Sequence, residues 1–166
     1  MENLAIWFAN TLGQHVSEEV VIFIISMIPL LELRGGLIVA KLLGVSILNA
    51  IPICIIGNII PIPFILLFIK QIFKWLKKVK IFRKIVEKLE ARAMSKSDSI
   101  KKYEFWGLVL FVGIPLPGTG AWTGSLIAAL LEIDFKKAIL AELLGIAIAT
   151  VIMSIFSYGL LEVLLS

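Results

Sequence analysis

The chain has 166 residues, 60% of them hydrophobic and 17% charged, and its mean hydropathy is +1.03; a soluble domain carries about a quarter charged residues and an apolar share near 45–50%. So many apolar side chains cannot be hidden inside a water-facing globule of this size, which excludes a soluble enzyme, a nucleic-acid reader and a disordered tail and leaves an integral membrane protein. The net charge of +4, from 16 Lys and Arg against 12 Asp and Glu, says less than the placement of the basic residues along the chain.

In chain order, the amino-terminal segment carries Glu2 where a leader peptide would carry basic residues, so no cleavable signal is expected. His15 reads as a solvated or interfacial side chain rather than a catalytic one. Residues 20–31 form an apolar run of 12, short of the roughly 20 needed to span a bilayer. They lead into Ile28-Pro-Leu-Leu-Glu-Leu-Arg-Gly-Gly36, where Pro29, Gly35 and Gly36 weaken a continuous helix. Residues 42–69 are uncharged over 28 positions and predict a simple span. Residues 70–102 hold 12 of the 16 basic residues, which predicts a cytoplasmic location. Within them Ile72, Leu76, Val79, Phe82, Val86, Leu89 and Ala93 recur at intervals of three or four, the spacing of an amphipathic helix. Such a helix either continues the preceding span into the cytosol or lies on the anionic inner leaflet. Its apolar stripe needs burial and no base-reading motif accompanies it, so no nucleic-acid partner is expected. Residues 105–131 are uncharged over 27 positions but broken by Gly113-Ile-Pro-Leu-Pro-Gly-Thr-Gly120. Residues 138–161 predict a second span, with Glu142 as its one charge.

Backbone that leaves helical geometry at membrane depth must find partners in protein or in a water-filled cavity. Both broken segments therefore read as re-entrant helix–break–helix hairpins. The halves also match: Ile28-Pro29-Leu30 with Ile114-Pro115-Leu116, Gly35-Gly-Leu-Ile-Val-Ala40 with Gly124-Ser-Leu-Ile-Ala-Ala129, Ala50 with Ala138, and Gly57 with Gly145. Paired interrupted segments are the pattern of transporter repeats. The expected fold class is an all-α integral membrane protein forming a single membrane domain over residues 1–166. It comprises two inverted repeats (18–69 and 103–165), each a re-entrant helical hairpin followed by a transmembrane helix, joined by a basic amphipathic cytoplasmic helix over 70–102. Lys136 and Lys137 then lie on the cytoplasmic side of the cytoplasmic (plasma) membrane, and both termini lie outside.

The inventory for bond chemistry is nearly empty. No serine elbow, P-loop lysine or clustered metal ligands occur, and the single cysteine, Cys54, sits in an apolar run where packing is its expected role. No catalytic residue, metal, cofactor or enzymatic turnover is expected. What the chain does place at membrane depth is Glu32, Arg34 and Glu142, and intramembrane ionisable residues by default mark a functional site. A guanidinium suits phosphate and carboxylate, so Arg34 is the candidate for binding an anionic headgroup or substrate; Glu32 and Glu142 are the proton-coupling candidates. The structural alternative pairs Arg34 with Glu32 or with Glu142 merely to pin the hairpins. A helix restarting near residues 119–123 would aim its N-terminal N–H groups, which favour anions, at the zone that holds Arg34. Thr119, Thr123 and Ser125 supply hydroxyls there, Gly118, Gly120 and Gly124 permit close approach, and Trp122 is either a wall of the site or a packing residue. The substrate-binding candidates are thus Glu32, Arg34, Gly35, Gly118, Thr119, Gly120, Trp122 and Thr123. Asn58 is expected to make a helix–helix hydrogen bond, and Ala141, Gly145 and Ala149 a close packing face.

Pro29-Leu-Leu-Glu-Leu-Arg-Gly-Gly36 and Pro115-Leu-Pro-Gly-Thr-Gly-Ala-Trp-Thr-Gly124 resemble the two signature stretches of the prokaryotic small multidrug export protein family, and the likeness covers roughly residues 18–160. That family is held to be a distant relative of the DedA (VTT-domain) superfamily. The resemblance implies two re-entrant hairpins facing each other, each followed by a tilted span. It also implies proton-linked transport or lipid scrambling, some DedA relatives being associated with undecaprenyl phosphate recycling. By motif, Glu32, Arg34, Gly35 and residues 115–124 carry over; Trp122 and Thr123 stand where DedA proper has an arginine-rich motif. The reading is a transporter or lipid translocase for a small anionic or amphiphilic substrate, with membrane lipids as partners. The rivals are export of cationic drugs, with Glu32 or Glu142 accepting the positive charge, and a non-transporting scaffold or assembly protein. One copy of 166 residues makes a thin wall around a pathway, which admits a homodimer.

Overall fold

The computed structural model describes residues 17–160, so the expectations for Glu2, His15 and both termini lie outside the described residues. The chain runs α1 (Glu18–Met27), α2 (Glu32–Leu42), α3 (Ile47–Ile59), α4 (Pro61–Leu76), α5 (Lys80–Met94), α6 (Asp98–Gly113), α7 (Ala121–Leu130) and α8 (Phe135–Ser154), which ends in a π-helical turn, Ile155–Leu160. Helices α1 and α2 flank the first break, and α6 and α7 flank the second.

Two helical runs are long and apolar enough to cross a bilayer. Ile47–Leu76 has 30 residues, Phe135–Gly159 has 25, and each reaches a mean hydropathy of 2.4. The first joins α3 to α4 through Ile60, whose backbone stays helical (φ −54°, ψ −45°). Pro61 opens α4 at a position where a missing N–H costs little. The first run starts and stops later than the uncharged segment 42–69, and the second starts at Phe135, three residues before the predicted segment 138–161. The chain turns over residues 43–46 before α3 begins, and α4 continues through Lys70 and Lys74, since lysine is a good helix former. The basic segment 70–102 is accordingly not one helix. It holds the end of α4, a turn at Val79 with extended backbone (φ −97°, ψ 120°), the separate helix α5, and the start of α6. Helix α6 is itself kinked at Glu104 (φ 40°, ψ −101°).

The two halves share their turn chemistry. After α2, Val45 N donates to Ala40 O at 2.9 Å and Gly44 N to Lys41 O at 3.1 Å; after α7, Ile133 N donates to Ala128 O at 3.0 Å and Glu132 N to Ala129 O at 3.2 Å. This is the helix-ending motif that needs one left-handed residue. Gly44 fills it at φ 76°, and Glu132 fills it at φ 57° with a side chain present. The offset is 88 (128 − 40, and 133 − 45). It pairs Gly36 with Gly124, one residue off the match of Gly35 with Gly124 read from sequence; Ala50 with Ala138 and Gly57 with Gly145 keep their register.

Packing repeats as well. A Cβ added at Gly57 would lie 2.8 Å from Phe23 O and 2.9 Å from Ser26 Cβ; one at Gly145 would lie 2.9 Å from Val109 O and 2.6 Å from Val112 Cβ. Likewise Gly36 presses on Ser26 and Cys54, and Gly124 on Val112 at 2.8 Å. In each half the hairpin's second helix and the long helix after it lay a glycine on the same turn of the hairpin's first helix. Close approach of this kind is how helices associate where no hydrophobic force acts between them. Ala141, Gly145 and Ala149 are all buried on α8, and Cys54 is free and buried.

Each long run passes the other half's turn toward its far end. Lys70 Nζ of α4 lies 2.6 Å from Glu132 Oε1, and Lys70 holds the Glu132 carboxyl below the usual carboxylate range. Tyr158 OH donates to Val45 O at 2.8 Å, and Lys41 Nζ stands 5.4 Å from the Tyr158 ring centre. Ile22, Leu33, Leu37, Leu108, Ile127 and Ile146 are buried at the centre, while Phe64, Phe68, Leu144 and Val151 on the long runs are exposed.

Candidate functional site

A helix end leaves orphan N–H or C=O groups that need partners. The first break closes on its own backbone: Ile28 N donates to Ile25 O (3.1 Å), Glu32 N to Ile28 O (3.0 Å) and Gly35 N to Leu31 O (2.7 Å). It does so with two non-glycine residues in left-handed backbone, Leu30 at φ 75° and Glu32 at φ 51°. The second break is longer and leaves α6 with free carbonyls and α7 with free N–H groups.

Helix α2 answers both ends. Glu32 Oε2 accepts from Ala121 N at 3.1 Å and Oε1 from Trp122 N at 3.0 Å, which sets a carboxylate on the positive end of α7. Two residues on, Arg34 Nη1 donates to Leu116 O at 2.9 Å, and Nη2 to Val112 O and Ile114 O at 3.3 Å each and to Thr119 Oγ1 at 3.1 Å. That sets a guanidinium on the negative end of α6. Lys96 Nζ, from the turn before α6, donates to Pro117 O at 3.2 Å and Gly118 O at 2.9 Å. In return Trp122 Nε1 donates to Met27 O at 3.0 Å and caps α1. Gly120 makes the arrangement feasible. Its backbone is at φ 128°, and the Glu32 carboxylate occupies the place a Cβ would take, so only glycine fits.

Between the breaks lies a cavity of about 460 Å³. Glu32, Arg34 and Gly35 of α2 line it, with Gly118 and Thr119 of the second break and Thr123 of α7; its walls are apolar, among them Ile38, Leu42, Ile152 and Phe156. Among the described residues the ion pairs are Lys70–Glu132, Lys77–Glu90 and Lys137–Glu104. Arg34 therefore carries its charge at the cavity wall with carbonyls and a hydroxyl around it and no carboxylate within pairing distance.

Four readings of the sequence meet this geometry as follows. Arg34 pairs with neither Glu32 nor Glu142, because each of the two α2 charges is drawn to a helix end of opposite sign. The N-terminus of α7 is not open to a bound anion, because Glu32 fills it. Trp122 and Gly120 do not line the cavity; the one caps α1 and the other seats Glu32. Asn58 is buried with its Oδ1 unpartnered, so its expected helix–helix hydrogen bond is not made through that atom. Glu142 stands apart from the cavity, fully buried on α8. Ser125 Oγ donates to its Oε1 at 2.8 Å, and its Oε2 has no partner. Sequence reasoning missed Lys96, whose lysine neighbours give it no distinguishing mark.

Helices broken in pairs complete each other around a mostly apolar cavity, beside two helical runs long and apolar enough to cross a membrane. Residues 32–152 match the model of the family described as "Putative small multi-drug export protein", and the chain belongs to that family. The matched stretch takes in Glu32, Arg34 and the whole second break. No curated protein and no solved structure matches the chain.

Proposed function

We propose that the protein is a multi-pass transporter or lipid translocase of the plasma membrane that moves an anionic amphiphile through the cavity between the breaks. The single observation that carries this is Arg34. A guanidinium without an ion-pair partner, on the wall of a mostly apolar cavity that Glu32, Thr119 and Thr123 also line, offers one site for a phosphate or carboxylate and room for a hydrocarbon tail. Glu32 is a poorer acceptor for a cationic drug, since both its oxygens already take N–H groups of α7. Glu142, with one hydrogen bond and an unpartnered oxygen in a dry interior, is the residue we assign to proton coupling. No chemical turnover is part of this reading.

The same reading makes the halves inverted repeats. The first long run starts at the first turn and passes the second toward its far end, by Lys70–Glu132; the second starts at the second turn and passes the first toward its far end, by Tyr158–Val45. Runs that exchange ends in this way are antiparallel. With the basic stretch 70–102 cytoplasmic, the hairpins enter from opposite faces and the termini lie outside.

The test is flux in proteoliposomes across a pH gradient, with a phosphorylated isoprenoid analogue and a cationic dye as alternative substrates. Anion flux above protein-free vesicles, lowered at least about tenfold by Arg34→Gln and by the cavity-filling Ile38→Trp, is expected. Dye flux that depends on Glu32 and survives Arg34→Gln would favour drug export. If Arg34→Ala alters stability or partner pull-down but no flux, the protein is a scaffold.

A further inference from the structure

Helix α5 presents two ridges of residues four apart, side by side. Lys80, Lys84, Lys88 and Arg92 form one; Ile81, Ile85, Leu89 and Ala93 form the next. The basic ridge is exposed along its length. None of the ion pairs among the described residues uses it. On the apolar ridge only Ala93 is buried, with Val86 from the ridge beyond; Ile81 is 76% exposed, Ile85 53% and Leu89 46%, and Phe82 beside them 45%. The helix thus rests on the protein by one edge, Val86 and Ala93, and leaves an apolar face uncovered between that edge and a row of four cations.

From this juxtaposition we infer that α5 is an in-plane membrane helix, docked on an anionic lipid surface. Exposed apolar residues of this size enter the acyl boundary, and cations on the adjoining ridge reach headgroup phosphates with their stems along the apolar surface. Charge complementarity selects the partner: the free face is flanked by cations, whereas the acidic residues of α5, Glu87 and Glu90, lie on other ridges and Glu90 is held by Lys77. The chain also enters and leaves α5 past exposed aromatic side chains, Trp75 before it and Tyr103 and Trp106 after it, residue types that gather at the membrane–water boundary. The inference rests on the membrane reading of the chain and is independent of transport.

The experiment uses the full chain in vesicles, with Cys54→Ala and a single added cysteine by Ile85→Cys or Lys84→Cys, labelled with an environment-sensitive dye. Phosphatidylcholine vesicles are compared with vesicles containing phosphatidylglycerol, and quenching by a lipid-borne quencher is read without any substrate. At position 85 quenching is expected to be at least about twofold stronger than at 84, and to rise with phosphatidylglycerol. The joint change of Lys80, Lys84, Lys88 and Arg92 to Gln is expected to abolish that rise while the fold, judged by thermal melting, is kept. Equal access of both positions to an aqueous quencher in either lipid would overturn the proposal in favour of a solvated helix. Protection at 85 that ignores lipid charge and accompanies cross-linking between copies would overturn it in favour of a dimer contact. A protein that docks in this way but moves no substrate retains this inference and loses the transport reading.

Discussion

The two breaks solve one problem in opposite ways. The first is four residues long, returns its hydrogen bonds to its own backbone, and accepts the cost of left-handed Leu30 and Glu32. The second is seven residues long, with two prolines and two glycines, Gly118 and Gly120; Thr119 closes part of it on Ile114 O and Leu116 O, and Glu32, Arg34 and Lys96 hold the rest from outside. Only one side chain, Trp122, works in the reverse direction among the cross-break hydrogen bonds. The charged pair of the first motif thus exists for the second. A short break can close locally, whereas a long one leaves both helix ends open and borrows charge of each sign from its neighbour.

That contrast predicts unequal damage. Gly120→Ala should cause the largest loss of stability, about 2–5 kcal/mol, from left-handed strain together with a clash against the Glu32 carboxylate; unfolding in micelles measures it. Glu32→Gln keeps the shape but replaces one acceptor by a donor facing an N–H, and about 1.5–3 kcal/mol should be lost. Combined, the two changes should fall short of additivity, since they act on one contact. Trp122→Phe removes the single bond that the first break receives, and about 0.5–1.5 kcal/mol should be lost. A Trp122→Phe loss exceeding that of Glu32→Gln would break the comparison. The smallest effects concern the turns. Glu132→Gly relieves a left-handed residue and loses only the exposed Lys70 pair, so it should raise the melting temperature by about 2–4 °C, and Gly44→Ala, in open space but at φ 76°, should lower it by a similar amount.

Much of this was legible in the chain. Proline and glycine placed both breaks, uncharged length placed both long runs, and Ala50–Ala138 and Gly57–Gly145 set the register of the halves. The site was half legible. Glu32, Arg34, Gly35, Gly118, Thr119 and Thr123 do gather on one cavity, and they stood out because charge and clustered glycine are rare within such apolar runs. Their partners were not legible. Whether a carboxylate meets a guanidinium two residues away or a helix end 89 residues away depends on how the hairpins face each other, and no local pattern encodes that. Lys96 was hidden among eleven other basic residues of its segment for the same reason.

The central claim is that Arg34, which has no ion-pair partner among the described residues, is the cavity's anion-binding cation. Equilibrium binding to the protein in nanodiscs tests it most directly, using two single-chain amphiphiles of equal tail length, one a phosphate and one a quaternary ammonium. The account predicts saturable binding of the phosphate that Arg34→Gln weakens about tenfold or more, with Ile38→Trp weakening it in a chain that keeps every side chain of the cross-break hydrogen bonds. Preferential binding of the ammonium amphiphile, or phosphate binding indifferent to both substitutions, would contradict it.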